Sequence, residues 1–221
     1  WFGGHGGHGD ARSEVLHRHR DTPGFALLDT KLTTERRDAI NMSLSSLFCW
    51  VPRGQGQGDP TRHMVAIYHG CLPVFSLGEA AERDDALPFD EVLDWRRFSL
   101  RVPTGRLAEL PAALWPVARD AARLRAMQLE LACAWRALFW TSLVGSCFGE
   151  DVEGDAFSTL MSVLRHRKQP RRAAAAAAAR RSPCSLAVLP SHLARQVKAS
   201  SRSLAPGASA ELLELGGPVS V

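Results

Sequence analysis

Two short apolar runs, residues 47–51 and 72–75, flank a segment of mixed polarity. Neither alternates with polar residues and both are bounded by proline or glycine, the pattern of buried parallel strands. Between them, residues 61–69 predict one crossover helix. Thr61 is the candidate N-cap, Met64, Ala66 and Ile67 fall on an inward face, and Gly70 stands at the end. The unit is strand, loop, helix, strand. A right-handed crossover leaves the loop 53–60 at the carboxyl edge of the sheet, beside a helix N-terminus, where an anion binds.

The rest of the chain repeats the alternation. Trp1-Phe2 reads as the end of a first strand, glycine-rich residues 3–9 as a loop, and 11–19 as a helix. Residues 25–28 form a short apolar strand after Pro23-Gly24. A helix over 34–45 follows, capped by Thr33 or Thr34, with Ile40 and Leu44 on one face. Residues 76–86 read as a loop, 90–96 as a short helix and 98–102 as another strand. Thr104 caps a helix through Leu114, and a longer one runs over 119–140 with Leu124, Met127, Leu131, Trp135 and Leu138 as its apolar stripe. A last helix, 155–165, carries Phe157, Leu160, Met161 and Leu164. Strands alternating with helices predict an α/β fold, a Rossmann-like parallel sheet with flanking helices.

Composition divides the chain at Lys168. Hydrophobic residues make up 45% of the 221, enough for a sizeable core. After Lys168 come Arg pairs, seven consecutive alanines and an excess of Ser, Pro and Gly, so residues 1–168 read as the folded domain and 169–221 as a low-complexity, disordered tail. The net charge of +4 belongs to that tail: residues 1–168 hold 20 Lys/Arg and 21 Asp/Glu, a net of −1. A nucleic-acid-binding core is not expected. No run of about 18 apolar residues appears and the chain opens on Trp1, so it reads as a piece of something longer, with any membrane anchor outside it.

The five cysteines, at 49, 71, 133, 147 and 184, show no metal-ligand spacing. Cys49 and Cys71 fall inside predicted strands and are expected as ordinary buried thiols, with a disulfide or a reactive role the lesser alternatives. His5 and His8 lie in the glycine loop without a Cys or acidic partner, so no metal site is assigned. Asp90, Glu91 and Asp94 are read as a solvated face before a catalytic one.

Candidate chemistry concentrates at the central loop. Arg53 lies in it and Arg62 in the first helical turn, and guanidinium groups donate bidentately to phosphate oxygens. The run Gly54-Gln55-Gly56-Gln57-Gly58 lacks the spacing of the dinucleotide fingerprint or the P-loop and is weak by itself.

Four blocks in order carry a family resemblance: Phe48-Cys49-Trp50-Val51-Pro52-Arg53-Gly54; Arg62; Ala66-Ile67-Tyr68-His69-Gly70-Cys71-Leu72-Pro73-Val74; and Leu87-Pro88-Phe89-Asp90-Glu91-Val92-Leu93-Asp94-Trp95 with Phe98-Ser99. They resemble the exostosin glycosyltransferases, family 47, with weaker similarity reaching from Trp1 to about Arg167. The resemblance implies an inverting transferase of two facing Rossmann-like domains, the GT-B arrangement, of which this chain is the C-terminal, donor-binding half. It implies a nucleotide-sugar donor, a UDP-sugar above others, a polysaccharide or glycoprotein acceptor, and residence in the Golgi membrane. On that reading Arg53 and Arg62 hold the donor diphosphate and Gly54 allows close approach, with no further cofactor. The transferred group is a hexose or a pentose.

Two departures stand out. The family commonly has an acidic residue immediately before Ala66, where this chain has Val65, which accepts no hydrogen bond. The facing domain, expected to supply acceptor contacts and the general base, is not in this chain, so no catalytic residue is assigned and activity of the chain alone is doubtful. Two other readings follow: a non-catalytic relative serving in binding or assembly, and a Rossmann-like domain for another nucleotide such as NAD.

Overall fold

The computed structural model describes residues 11–27, 36–52, 62–77, 87–146, 152–168 and 219–220. In chain order the elements are α1 (Ala11–His19), β1 (Phe25–Ala26), α2 (Arg36–Ser45), β2 (Phe48–Pro52), α3 (Arg62–Tyr68), β3 (Leu72–Leu77), a 3₁₀ turn (Trp95–Arg97) and β4 (Leu100–Pro103). A second 3₁₀ turn (Thr104–Glu109), α4 (Leu110–Arg119), α5 (Ala121–Leu138), α6 (Thr141–Val144), α7 (Ala156–Lys168) and β5 (Val219–Ser220) complete the set. The chain divides into two compact units, Trp1–Asp85 with Ser99–Arg125 and Ala210–Val221, and Ala86–Phe98 with Ala126–Ser209.

The first unit is an α/β layer structure. Its five strands run in the order β1-β5-β2-β3-β4, every pair parallel. Two ladders carry most of the pairing, Phe48↔Leu72 through Pro52↔Ser76 and Val74↔Leu100 through Leu77↔Pro103. All five residues of β2 are buried, as an unalternating apolar run requires. Full burial of Phe48, Leu72 and Phe75 contributes about 1.5–3 kcal/mol each relative to exposure. α3 covers the sheet with His63, Ala66 and Ile67 buried, while Met64 is half-buried and Val65 exposed.

The expected strand–helix–strand unit is therefore present, with the helix spanning Arg62–Tyr68 and Gly70 at a positive φ of 74° beyond it. The strand and helix expected at 25–28 and 34–45 are seen as β1 and α2. Ile40 and Leu44 do share a face of α2, but that face is turned to solvent. Trp1-Phe2, the loop with His5 and His8, and the cap Thr61 lie outside the described residues. So does the tail, apart from Val219–Ser220, which pairs with Phe25–Ala26 and Cys49.

A buried histidine ties α1 to the turn before α4. The two ring nitrogens of His19 lie 2.8 Å from the Leu107 carbonyl oxygen and 3.3 Å from Thr22 Oγ1. Its ring stacks on Phe25, which meets Trp115 edge-on. Gly24 precedes Phe25 at φ 78°, and a Cβ there would lie 3.0 Å from the Trp115 ring.

The expected helix from Thr104 to Leu114 is corrected. Thr104 opens a 3₁₀ turn whose cap is Pro103, without a side-chain hydrogen bond, and the α-helix begins only at Leu110. Pro111 in the first turn explains the delay, because its fixed φ and missing N–H suit a helix start and not an interior. The strand expected at 98–102 runs Leu100–Pro103, with Phe98 buried ahead of it.

In the second unit the helix expected at 90–96 is replaced by a tight turn. Phe89 has a positive φ of 57°, which ends helical propagation, and the Val92 and Leu93 amides both donate to its carbonyl. Trp95 is buried, donates from its indole nitrogen to the Pro88 carbonyl at 2.9 Å, and packs 4.8 Å from Phe98 between ring centroids. The α5 stripe holds at Met127, Leu131 and Leu138, all buried. Arg136 is buried too and donates to the Glu153 carbonyl at 3.2 Å.

Asp155 caps α7 through the Ser158 amide at 3.0 Å and accepts from the Ser142 amide of α6 at 2.9 Å. Of the apolar stripe expected on α7, Leu160 and Met161 are half-buried whereas Phe157 and Leu164 are exposed, and the fully buried residues are Ala156, Thr159 and Val163.

Candidate functional site

The chain leaves the sheet at Pro52, the last residue of β2, and re-enters described structure at Arg62, the first residue of α3. Both positions belong to the carboxyl ends of parallel strands, where open α/β sheets bind ligands. Of the three candidate donor-binding residues, Arg62 is half-buried at this edge. Arg53 and Gly54 lie outside the described residues, so their approach to Arg62 is not seen.

Beneath that edge the strands are fastened side by side. The indole N–H of Trp50 donates to the hydroxyl of Ser76, both buried, joining the carboxyl halves of β2 and β3. The hydrogen bond satisfies two polar groups that would otherwise be costly in a parallel sheet. His63, next to Arg62, is buried with its ring 6.2 Å from that of Phe75, which seats the start of α3 on β3. Sequence reasoning missed this support: nothing local links Trp50 to Ser76, and only the strand register brings them together.

Toward the amino ends of the same two strands, Cys49 and Cys71 form a disulfide with Cα atoms 5.6 Å apart. This corrects the expectation of free buried thiols. The register sets Cys49 against Pro73, and Cys71, two positions earlier, projects to the same face as Pro73, so both sulfurs meet under Ala66 of α3. The closed loop contains Arg53, Gly54 and Arg62. Cys133 is disulfide-bonded as well, its partner outside the described residues.

The acidic candidates are engaged elsewhere. Asp94 is nearly buried, accepts from Arg96 Nε at 2.8 Å and caps the 3₁₀ turn through the Arg96 amide at 3.3 Å, so it is not part of a solvated face. The Arg96 hydrogen bond outweighs burial and holds its carboxyl below the ordinary range. Glu91 pairs with Arg167 through contacts of 3.0 and 3.1 Å, and that bond likewise lowers its carboxyl. Asp90 is half-buried in the turn beside them. Among the described residues no group of three His, Cys, Asp or Glu could hold a metal ion, and no helix is long and apolar enough to cross a membrane.

A parallel sheet with helices packed on it, and a loop-to-helix passage at the carboxyl edge of two central strands, define an α/β protein of Rossmann-like type. The model of the exostosin GT47 domain family matches residues 2–115, more than half of the chain. The chain belongs to that family. It is 30% identical over 113 residues to a probable glycosyltransferase of Arabidopsis thaliana, covering 51% of this chain and 23% of the relative. Exostosin-1a of Danio rerio is 30% identical over 105 residues, and exostosin-2 of Bos taurus 33% over 92, with 48% and 42% of this chain covered and 13% and 12% of the relatives. The chain thus spans less than a quarter of the length of these curated relatives. No solved structure matches it significantly.

Proposed function

We propose that this chain is the donor-binding half of an exostosin-type glycosyltransferase, the C-terminal part of a GT-B pair, acting on a nucleotide sugar and a carbohydrate acceptor. The observation that carries the reading is the β2–α3–β3 unit, which lies inside the family match and sets Arg62 at the carboxyl edge of the sheet. As the sugar leaves, negative charge builds on the diphosphate, and Arg62 with Arg53 supplies cationic donors to its oxygens. Gly54 leaves room for the phosphate backbone to come close. The base that deprotonates the acceptor hydroxyl belongs to the facing domain. Disulfide-bonded Cys49, Cys71 and Cys133 support work in an oxidising lumen such as the Golgi.

Calorimetric titration of the chain with nucleoside diphosphates, their sugars and NAD tests this. Binding of uridine diphosphate is expected, weakened about tenfold or more by Arg62→Ala and again by Arg53→Ala. A folded chain that binds no nucleotide, or prefers NAD, overturns it. Val65, exposed on α3 where relatives commonly carry an acid, favours one second reading, a non-catalytic binding module. On that reading Val65→Asp creates or strengthens binding of the sugar nucleotide over the bare diphosphate.

A further inference from the structure

The outward face of α2 has a composition that neither the fold nor the donor site uses. Ile40 is 40% exposed and Leu44 59% exposed. Between them lies Asn41, exposed and the only asparagine in the chain. Residues 40, 41 and 44 share one helix face, since positions three and four apart are neighbours. Asn41-Met42-Ser43 also has the spacing of an N-glycan acceptor, asparagine, any residue but proline, then serine.

The tripeptide alone is common by chance, but two observations of different kind support it. Three cysteines are oxidised, Cys49 to Cys71 and Cys133 to a partner outside the described residues, which marks a chain that folds in an oxidising compartment, where this modification is made. The acceptor side chain is also accessible in the folded chain, beside two aliphatic side chains in water.

We propose that Asn41 carries an N-linked glycan whose first sugars cover Ile40 and Leu44. In the transfer, Asn41 Nδ2 bonds to the anomeric carbon of a lipid-diphosphate-linked oligosaccharide. The anomeric carbon–oxygen bond breaks, the lipid diphosphate leaves with the electron pair, and the amide gives up one proton. Acceptors are modified as the chain enters the lumen, before it folds, so a helical position is no obstacle. The folded chain must only leave room, and α2 does. The proposal rests on the oxidised cysteines and α2, not on donor binding.

The test expresses the chain behind a secretion leader in eukaryotic cells and verifies its disulfides by non-reducing mass analysis. Peptide N-glycosidase is expected to remove one discrete mass increment and leave aspartate at position 41. Asn41→Gln and Ser43→Ala should lack the increment, while Ser43→Thr keeps it. A secreted, disulfide-bonded chain of unchanged mass after digestion overturns the site. For the covering role, the deglycosylated chain should self-associate more than the intact one, and Leu44→Ser should reverse this; equal association with and without the glycan overturns that role.

Discussion

Cys49, near the start of β2, and Cys71, just before β3, are joined by a disulfide at a sequence separation of 22, and that interval encloses the whole candidate donor loop together with α3. The crosslink and the Trp50–Ser76 hydrogen bond therefore fasten the two strands from opposite faces of the sheet.

Cys49→Ser with Cys71→Ser removes the loop constraint from the unfolded chain. A closed loop of this length is worth about 3 kcal/mol on the chain-entropy account. Denaturant titration of the paired variant should show a lower midpoint by a corresponding amount, and an unchanged midpoint would refute the structural role.

Ser76→Ala leaves the buried Trp50 indole N–H without its acceptor, at a cost of about 1–3 kcal/mol. Trp50→Phe with Ser76→Ala removes both polar groups. The double variant should therefore be less destabilised than the sum of the two single changes, and strict additivity in thermal denaturation would contradict a direct bond.

Gly24→Ala puts a Cβ 3.0 Å from the Trp115 ring at a φ of 78°, where L side chains are strained. Destabilisation of about 1 kcal/mol or more is expected. Trp115→Phe in the same chain should relieve only the steric part, which separate unfolding curves would resolve.

Asp94 makes stability depend on acid. The Arg96 hydrogen bond holds its folded pKa below the unfolded value, so the ionised carboxylate stabilises the fold above the ordinary carboxylate range and that contribution is lost as pH falls through the lowered value. Asp155 behaves in the same sense: burial pushes its carboxyl up, but hydrogen bonds from Ser142 and Ser158 outweigh it and leave it lowered. Asp94→Asn should lower stability at neutral pH and flatten its fall below about pH 4. A pH profile parallel to that of the unaltered chain would rule this out.

Much of the architecture was legible along the chain because it is set by local chemistry. Unbroken apolar runs at 47–51 and 72–75 read as buried strands, the segment between them as a crossover helix, and the glycine beyond Tyr68 takes the positive φ that ends that helix. Those same residues carried the family resemblance, so fold and family were both available without coordinates. What needed three dimensions were relations between distant residues. The disulfide and the Trp50–Ser76 bond depend on strand register, a single integer that no local pattern encodes. Which residues of α7 are buried, Ala156, Thr159 and Val163 rather than Phe157 and Leu164, likewise follows from what packs against the helix and not from its own pattern. The acid cluster, alike in sequence, was sorted into a buried cap, held by its sequence neighbour Arg96, and a surface ion pair with Arg167, which folding brought alongside.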